Sequence, residues 1–247
     1  LPQWSEDDDE EEENPDDTLG PDDTDLPGME TVDRTYKWTL DSWTETLNGE
    51  LTLSFNPEKI AALRSSNPFR LNPNRDFKAN ITELLESCKN NRKVHEVLSY
   101  IDGRIREEGL CELDRMQFIL DFVQKPNIEY EYDENCEEIG CPRDYARYPD
   151  ETMFDGHGDC DCKSALAAIL FREAGHKTAF LTTKTHAAVA VAFRNKLDAD
   201  LVAMADQSLV TKDGYLYFFC ETTGDGFKIG DLGDTTKEAI EDIIFLN

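Results

Sequence analysis

The chain has 247 residues, 39% of them hydrophobic, enough for one sizeable core with a small appended element. Its formal net charge of −28 makes nucleic acid a poor partner. No apolar run approaches the ~20 residues of a membrane span, so this fragment is not expected to contact a membrane by itself.

The charge is uneven. Residues 1–33 hold 15 acidic and no basic residues, which leaves 38 acidic against 25 basic elsewhere, a net −13. Such a segment has too little apolar surface to offset its ordering entropy and is expected to be an acidic disordered linker. No basic, apolar leader opens the chain, which starts at Leu1. The acidic, proline-dotted opening suits an extracytoplasmic domain released from a signal peptide or membrane anchor.

Residues 34–42 and 50–55 alternate as strands, with Asn48-Gly49 marking the turn region between them. Asn56-Pro57 opens a short helix to about Ser65, and NPFRLNPNRD after it reads as loop. Helices follow at about 79–88, 92–108 and 112–124. The middle one carries a stripe of Val94, Val97, Leu98, Ile101 and Ile105 that reads as core. Residues 127–155 read as one long polar loop, and loops of that length in a compact domain are usually functional.

That loop leads into Gly156–Leu166, GHGDCDCKSAL, the segment richest in chemistry. Cys160 falls at a glycine-flanked turn running into an apolar helix to about Ala174, with Leu166, Ile169 and Leu170 facing a core and Gly175 as C-cap. A helix N-terminus and a nearby imidazolium favour a thiolate, while Asp159 and Asp161 act in the opposite direction. Strands are expected at about 177–183, 186–194, 201–205 and 215–221. A helical half preceding an antiparallel strand half is an α+β arrangement. His186 opens one strand and Glu221 closes another, and cysteine, histidine, acid is an order that a thiol acyl-transfer site can use.

These residues resemble the transglutaminase-like superfamily of papain-like thiol enzymes, in particular a group of archaeal and bacterial domains. The matching pieces are FVQKPNIEYEYD at 122–133, YARYPDETMFDGHGDCDCKSALAAILFREAGH at 145–176, HAAVAVAF at 186–193 and DGYLYFFCETTGDGFKIG at 213–230. KWTLDSW near the N-terminus also looks like the first strand of that group. The resemblance implies a transglutaminase/papain-like α+β domain over 34–247, with 34–66 as an N-terminal strand pair and short helix. It implies Cys160 as nucleophile, His186 as base and Glu221 as the third member of a Cys-His-Glu triad. The expected activity is that of a cysteine peptidase-like hydrolase acting on carboxamides of a protein or peptide. The alternatives are a cross-linking transglutaminase and a non-catalytic protein-binding module that retains the fold. The sequence departs from the group at Cys162, where an acidic residue is usual, and packing is the expected role of that thiol.

The Cys160 backbone N–H is one expected oxyanion donor, and Gln124 is the candidate for a side-chain donor. His157 is placed to line the cleft. Tyr145, Tyr148 and Pro149 are expected to anchor the long loop, and His95 and His176 are assigned no function. No cofactor is expected. Cys136, Cys141, His157, Cys160 and Cys162 offer soft ligands but match no paired zinc spacing. The acidic run Asp133–Glu138 is the place where calcium would bind, although it lacks the spacing of a calcium loop. Of the seven cysteines, Cys88 and Cys111 lie near helix ends, Cys136 and Cys141 lie in the polar loop, and Cys220 reads as a buried strand residue. They leave the redox compartment open.

Overall fold

The computed structural model describes residues 30–41, 46–124, 127–132, 145–194, 208–231 and 240–246. Most of the acidic opening, the expected strand at 201–205, the Asp133–Glu138 run, Cys136 and Cys141 lie outside these residues. The architecture is mixed α+β.

The N-terminal element is an antiparallel ribbon of β1 (Val32–Asp41) and β2 (Thr46–Phe55). Its inward side chains, Tyr36, Trp38, Leu40, Leu53 and Phe55, are buried. Asn48-Gly49 is not the turn: Gly49 lies within β2, opposite Trp38. A Cβ at Gly49 would fall 2.8 Å from the Trp38 ring and 2.9 Å from Phe118, so the missing side chain is what lets the strand lie over the indole.

A helical layer follows. Asparagines and an aspartate start its members: Asn56 caps α1 (Pro57–Ser66), Asp76 caps α3 (Phe77–Ser87) and Asn91 caps α4 (Arg92–Glu108). The segment read as loop holds one helical turn, α2 (Pro68–Leu71), because Asn67 accepts the Phe69 N–H and Pro68 presets the first residue. The α4 stripe is buried as expected, and α5 (Glu112–Val123) is buried along its length.

The long polar segment is also more ordered than its composition implies. It contains α6 (Pro149–Asp155), whose C-cap Gly156 has φ of 74°. Before and after α6, β3 (Glu129–Tyr130) and β4 (His157–Gly158) form a short parallel bridge. A buried polar network fixes α6. Glu151 is fully buried and accepts from the Tyr145 hydroxyl (2.9 Å) and the Tyr148 N–H (3.2 Å), with Arg64 Nε 3.3 Å away. Asp155 bridges Arg64 and the buried Arg147.

The central helix is α7 (Cys160–Glu173). It is buried on every side from Cys162 to Phe171, including Lys163 and Ser164, and so has no single apolar face. It ends in a Schellman arrangement: His176 N–H reaches Phe171 O (3.0 Å), Gly175 N–H reaches Arg172 O (2.8 Å), and Gly175 has φ of 83°. Against α7 lies an antiparallel sheet in the order β7-β8-β6-β5-β9: β5 (Lys177–Thr182), β6 (Ala187–Ala192), β7 (Ser208–Lys212), β8 (Tyr215–Cys220) and β9 (Asp242–Leu246). Phe180, Val189, Val191, Phe218 and Cys220 point to the helical core, and Ala190, Leu181, Tyr217 and Phe219 point to the opposite face. β7 and β9 were not expected from the sequence.

Candidate active site

Cys160 is the first residue of α7. The side chain of the preceding Asp159 accepts the Cys162 N–H at 3.1 Å and so caps the helix. The Cys160 thiol is partly buried against the start of β6, where the Ala187 backbone N–H is directed at the sulfur. Burial pushes its pKa well up, and the Asp161 and Asp159 carboxylates push it further; the Ala187 N–H opposes them. Asp161 Oδ1 lies 3.7 Å from the sulfur. These influences oppose the helix-end activation expected from the sequence.

His186 sits immediately before β6. The Thr183 N–H (2.8 Å) and hydroxyl (3.3 Å) both donate to its carbonyl and close the turn from β5. Across the sheet Val189 pairs with Cys220, so the next step of that register sets Glu221 opposite Ala188, two residues from His186. His186 Nε2 lies 3.2 Å from Glu221 Oε2. The other Glu221 oxygen accepts the Thr223 N–H (2.9 Å) and hydroxyl (2.6 Å). Burial raises the Glu221 pKa, but the bonds from His186 and Thr223 outweigh it and leave the group below its ordinary value. Glu221 is thus an acceptor-only carboxylate, which assigns the proton to His186 Nε2 and leaves Nδ1 basic.

The structure brings Cys160, His186 and Glu221 to one end of α7 and of the β6–β8 pair. Among the described residues, however, no hydrogen bond joins the imidazole to the thiol. Their link is Ala187, directly after His186, whose backbone acts to lower the pKa of the thiol. The Ser164 and Thr222 hydroxyls, both fully buried and 3.1 Å apart, tie the nucleophile helix to the carboxylate segment.

Gln124 takes a different place from the one expected of an oxyanion donor. Its Nε2 donates to the backbone carbonyls of Glu221 (2.7 Å) and Phe227 (3.2 Å), so both amide N–H groups are committed. It braces the Glu221 segment against the end of α5. Cys162 is fully buried, and its sulfur accepts from the Arg147 N–H at 3.3 Å. A Cβ on Gly158 would come 2.6 Å from that of Cys162, so the motif's second glycine is needed for close approach of the helix.

Tyr130 went unrecognised in the sequence. Burial raises its phenol pKa, and Cys160 and Asp159 raise it further. Its only sequence signal is position in EYEY before the nucleophile segment. With Tyr132, Glu131 and His157 it borders a 240 Å³ depression, and His157 Nδ1 contacts Glu131. His176 is structural: Nδ1 faces Ala192 O and Nε2 faces Arg115 Nη1, each at 3.2 Å. The five described cysteines, Cys88, Cys111, Cys160, Cys162 and Cys220, are free thiols. Among the described residues, no three acidic, cysteine or histidine side chains are grouped to hold a metal, and no helix is long and apolar enough to cross a membrane. No protein-family model, curated protein or solved structure matches the chain.

Proposed function

We propose that this chain is a thiol-dependent acyl-transfer enzyme with a transglutaminase/papain-like core, acting as a cysteine peptidase-like hydrolase. The observation that carries this reading is the 3.2 Å contact of His186 Nε2 with Glu221 at one end of the sheet, with Ala187, the residue after His186, acting through its backbone on Cys160 at the start of a buried helix. A buried packing cysteine needs none of these neighbours.

In this mechanism His186 Nδ1 takes the thiol proton as the sulfur attacks a carboxamide carbon. The C–S bond forms, the C–N bond breaks, and the imidazolium returns the proton to the departing amine. Water, deprotonated by the same nitrogen, then cleaves the thioester to a carboxylic acid and restores the thiol. Glu221 keeps the ring oriented and stabilises the imidazolium. The Cys160 N–H, which has no hydrogen bond among the described residues, is one oxyanion donor.

The raised Cys160 pKa and the unmade thiol–imidazole bond favour a second reading, a protein-binding module that retains the fold. The two separate on unfolded casein supplied with dansylcadaverine. Hydrolysis predicts new amino termini, lost in Cys160→Ala and His186→Ala, whereas amine transfer predicts dansyl incorporation lost in the same variants. No covalent change in casein overturns the enzyme reading in favour of the module.

A further inference from the structure

A second cleft, of about 870 Å³, opens between the β1–β2 ribbon, α4, the end of α5 and the loop after β8. Its size is that of a small-molecule site. Trp38 and Tyr100 contribute its aromatic wall, with ring centroids 5.6 Å apart and an interplanar angle of 57°. Cys160, His186 and Glu221 are not among its lining residues.

The polar groups of the cleft are unevenly satisfied. Lys37 is paired with Glu50 at 3.1 Å, and Arg104 with Glu107 and Glu108 of its own helix at 3.7 and 3.5 Å. Lys228 has further interactions within the chain, and Asp121 accepts from Gln117 at 2.7 Å. Arg104 Nε is left without a hydrogen bond, and two acceptors are left over. Gln124, only 1% exposed, lines the cleft, and its Oε1 is buried with no hydrogen-bond partner. The amide cannot turn to relieve it, because Nε2 is held by the Glu221 and Phe227 carbonyls. Asp225, exposed on the rim, has a carboxylate with no hydrogen bond or ion pair among the described residues. Trp38 is only 3% exposed, with Gly49 over its ring and its indole N–H on Phe118 O at 3.2 Å, so the aromatic surface open to a ligand is that of Tyr100.

We propose that this cleft binds a small organic cation, an alkyl ammonium or guanidinium compound. Such a molecule supplies positive charge for Asp225, an N–H donor for Gln124 Oε1, and a cationic group to rest on Tyr100. An anion would find one free donor, Arg104 Nε, which already lies beside Glu107, and would face the two unmatched acceptors. The proposal does not depend on the acyl-transfer reading, although Gln124 joins the cleft to the Glu221 backbone.

The test is isothermal titration calorimetry of the full chain with agmatine, which carries both cationic groups, in 150 mM salt. The expected result is saturable one-to-one binding, weakened at least fivefold by Asp225→Asn, by Tyr100→Leu and by Gln124→Met, and unchanged by Glu83→Gln on the distant surface of α3. Asp225 and Tyr100 keep the test decisive if Gln124→Met fails to fold, which circular dichroism would reveal. Absence of saturable binding overturns the proposal. So does binding that the cleft variants leave unchanged, which would be general attraction to an acidic surface, or preferential binding of glutarate.

Discussion

Replacing Asp161 by asparagine isolates the electrostatic restraint on Cys160. The substitution keeps the side chain's size and removes one of the two carboxylates that hold the thiol protonated. At the 3.7 Å between Asp161 Oδ1 and the sulfur, a unit charge pair interacts by about 4 kcal/mol at an effective dielectric of ~20 and by about 1 kcal/mol in bulk water. Cys160 is partly exposed, so solvent screening favours the lower figure. Relief of about 1.4 kcal/mol increases the thiolate population about tenfold at neutral pH. Iodoacetamide labelling with peptide mapping reads this directly, and the exposed Cys111 serves as an internal reference. Cys160 labelling should rise about tenfold in Asp161→Asn with Cys111 unchanged, and in the parent it should climb with pH without a plateau on the acid side. An unchanged rate in the variant, or an acid plateau in the parent, would refute this account of the resting thiol.

Glu151→Ala removes a fully buried carboxylate contacted by Arg64 and Tyr145, and should cost about 3–5 kcal/mol in urea unfolding; a loss below about 1 kcal/mol contradicts the role given to this network. Gly158→Ala places a methyl 2.6 Å from the Cys162 Cβ and should cost about 1–3 kcal/mol, measured the same way, with neutrality the contrary result. His176 is lowered to about 4 by burial and by Arg115, so below its ordinary value near 6.5 the unfolded chain takes the proton first. Stability should therefore fall by roughly 3 kcal/mol from this group between pH 7 and pH 4. Urea midpoints of His176→Gln should lack that component, and parallel pH profiles for the two proteins would show that His176 does not supply it.

The helices were legible because their signals are local. Asn56-Pro57, the α4 stripe and Gly175 each act within a turn or two of chain. Long-range contacts were not legible. Asn48-Gly49 reads as a hairpin turn, yet Gly49 is needed where Trp38 crosses it. Residues 145–158 look like a polar loop because Arg147, Glu151 and Asp155 are charged, but they neutralise one another with Arg64 inside the fold. β9 is a run of Ile243, Ile244, Phe245 and Leu246, apolar on both faces, so it lacks the alternation that marks a half-exposed strand. Gln124 reaches the Glu221 segment, but its hydrogen bonds go to the Glu221 and Phe227 carbonyls rather than toward the thiol. Burial of Cys160, which opposes activation by the helix end, depends on β6 packing against the start of α7 and is not readable from the local sequence.

The most direct test of the central claim is transient acylation by p-nitrophenyl acetate, followed by mass mapping of the acetylated residue in the parent chain and in His186→Ala. The account predicts an acetyl thioester on Cys160 that forms and hydrolyses in the parent, with formation slowed at least about a hundredfold in His186→Ala. Acetylation of Cys160 at equal rates in both proteins, or at other residues alone, would contradict it.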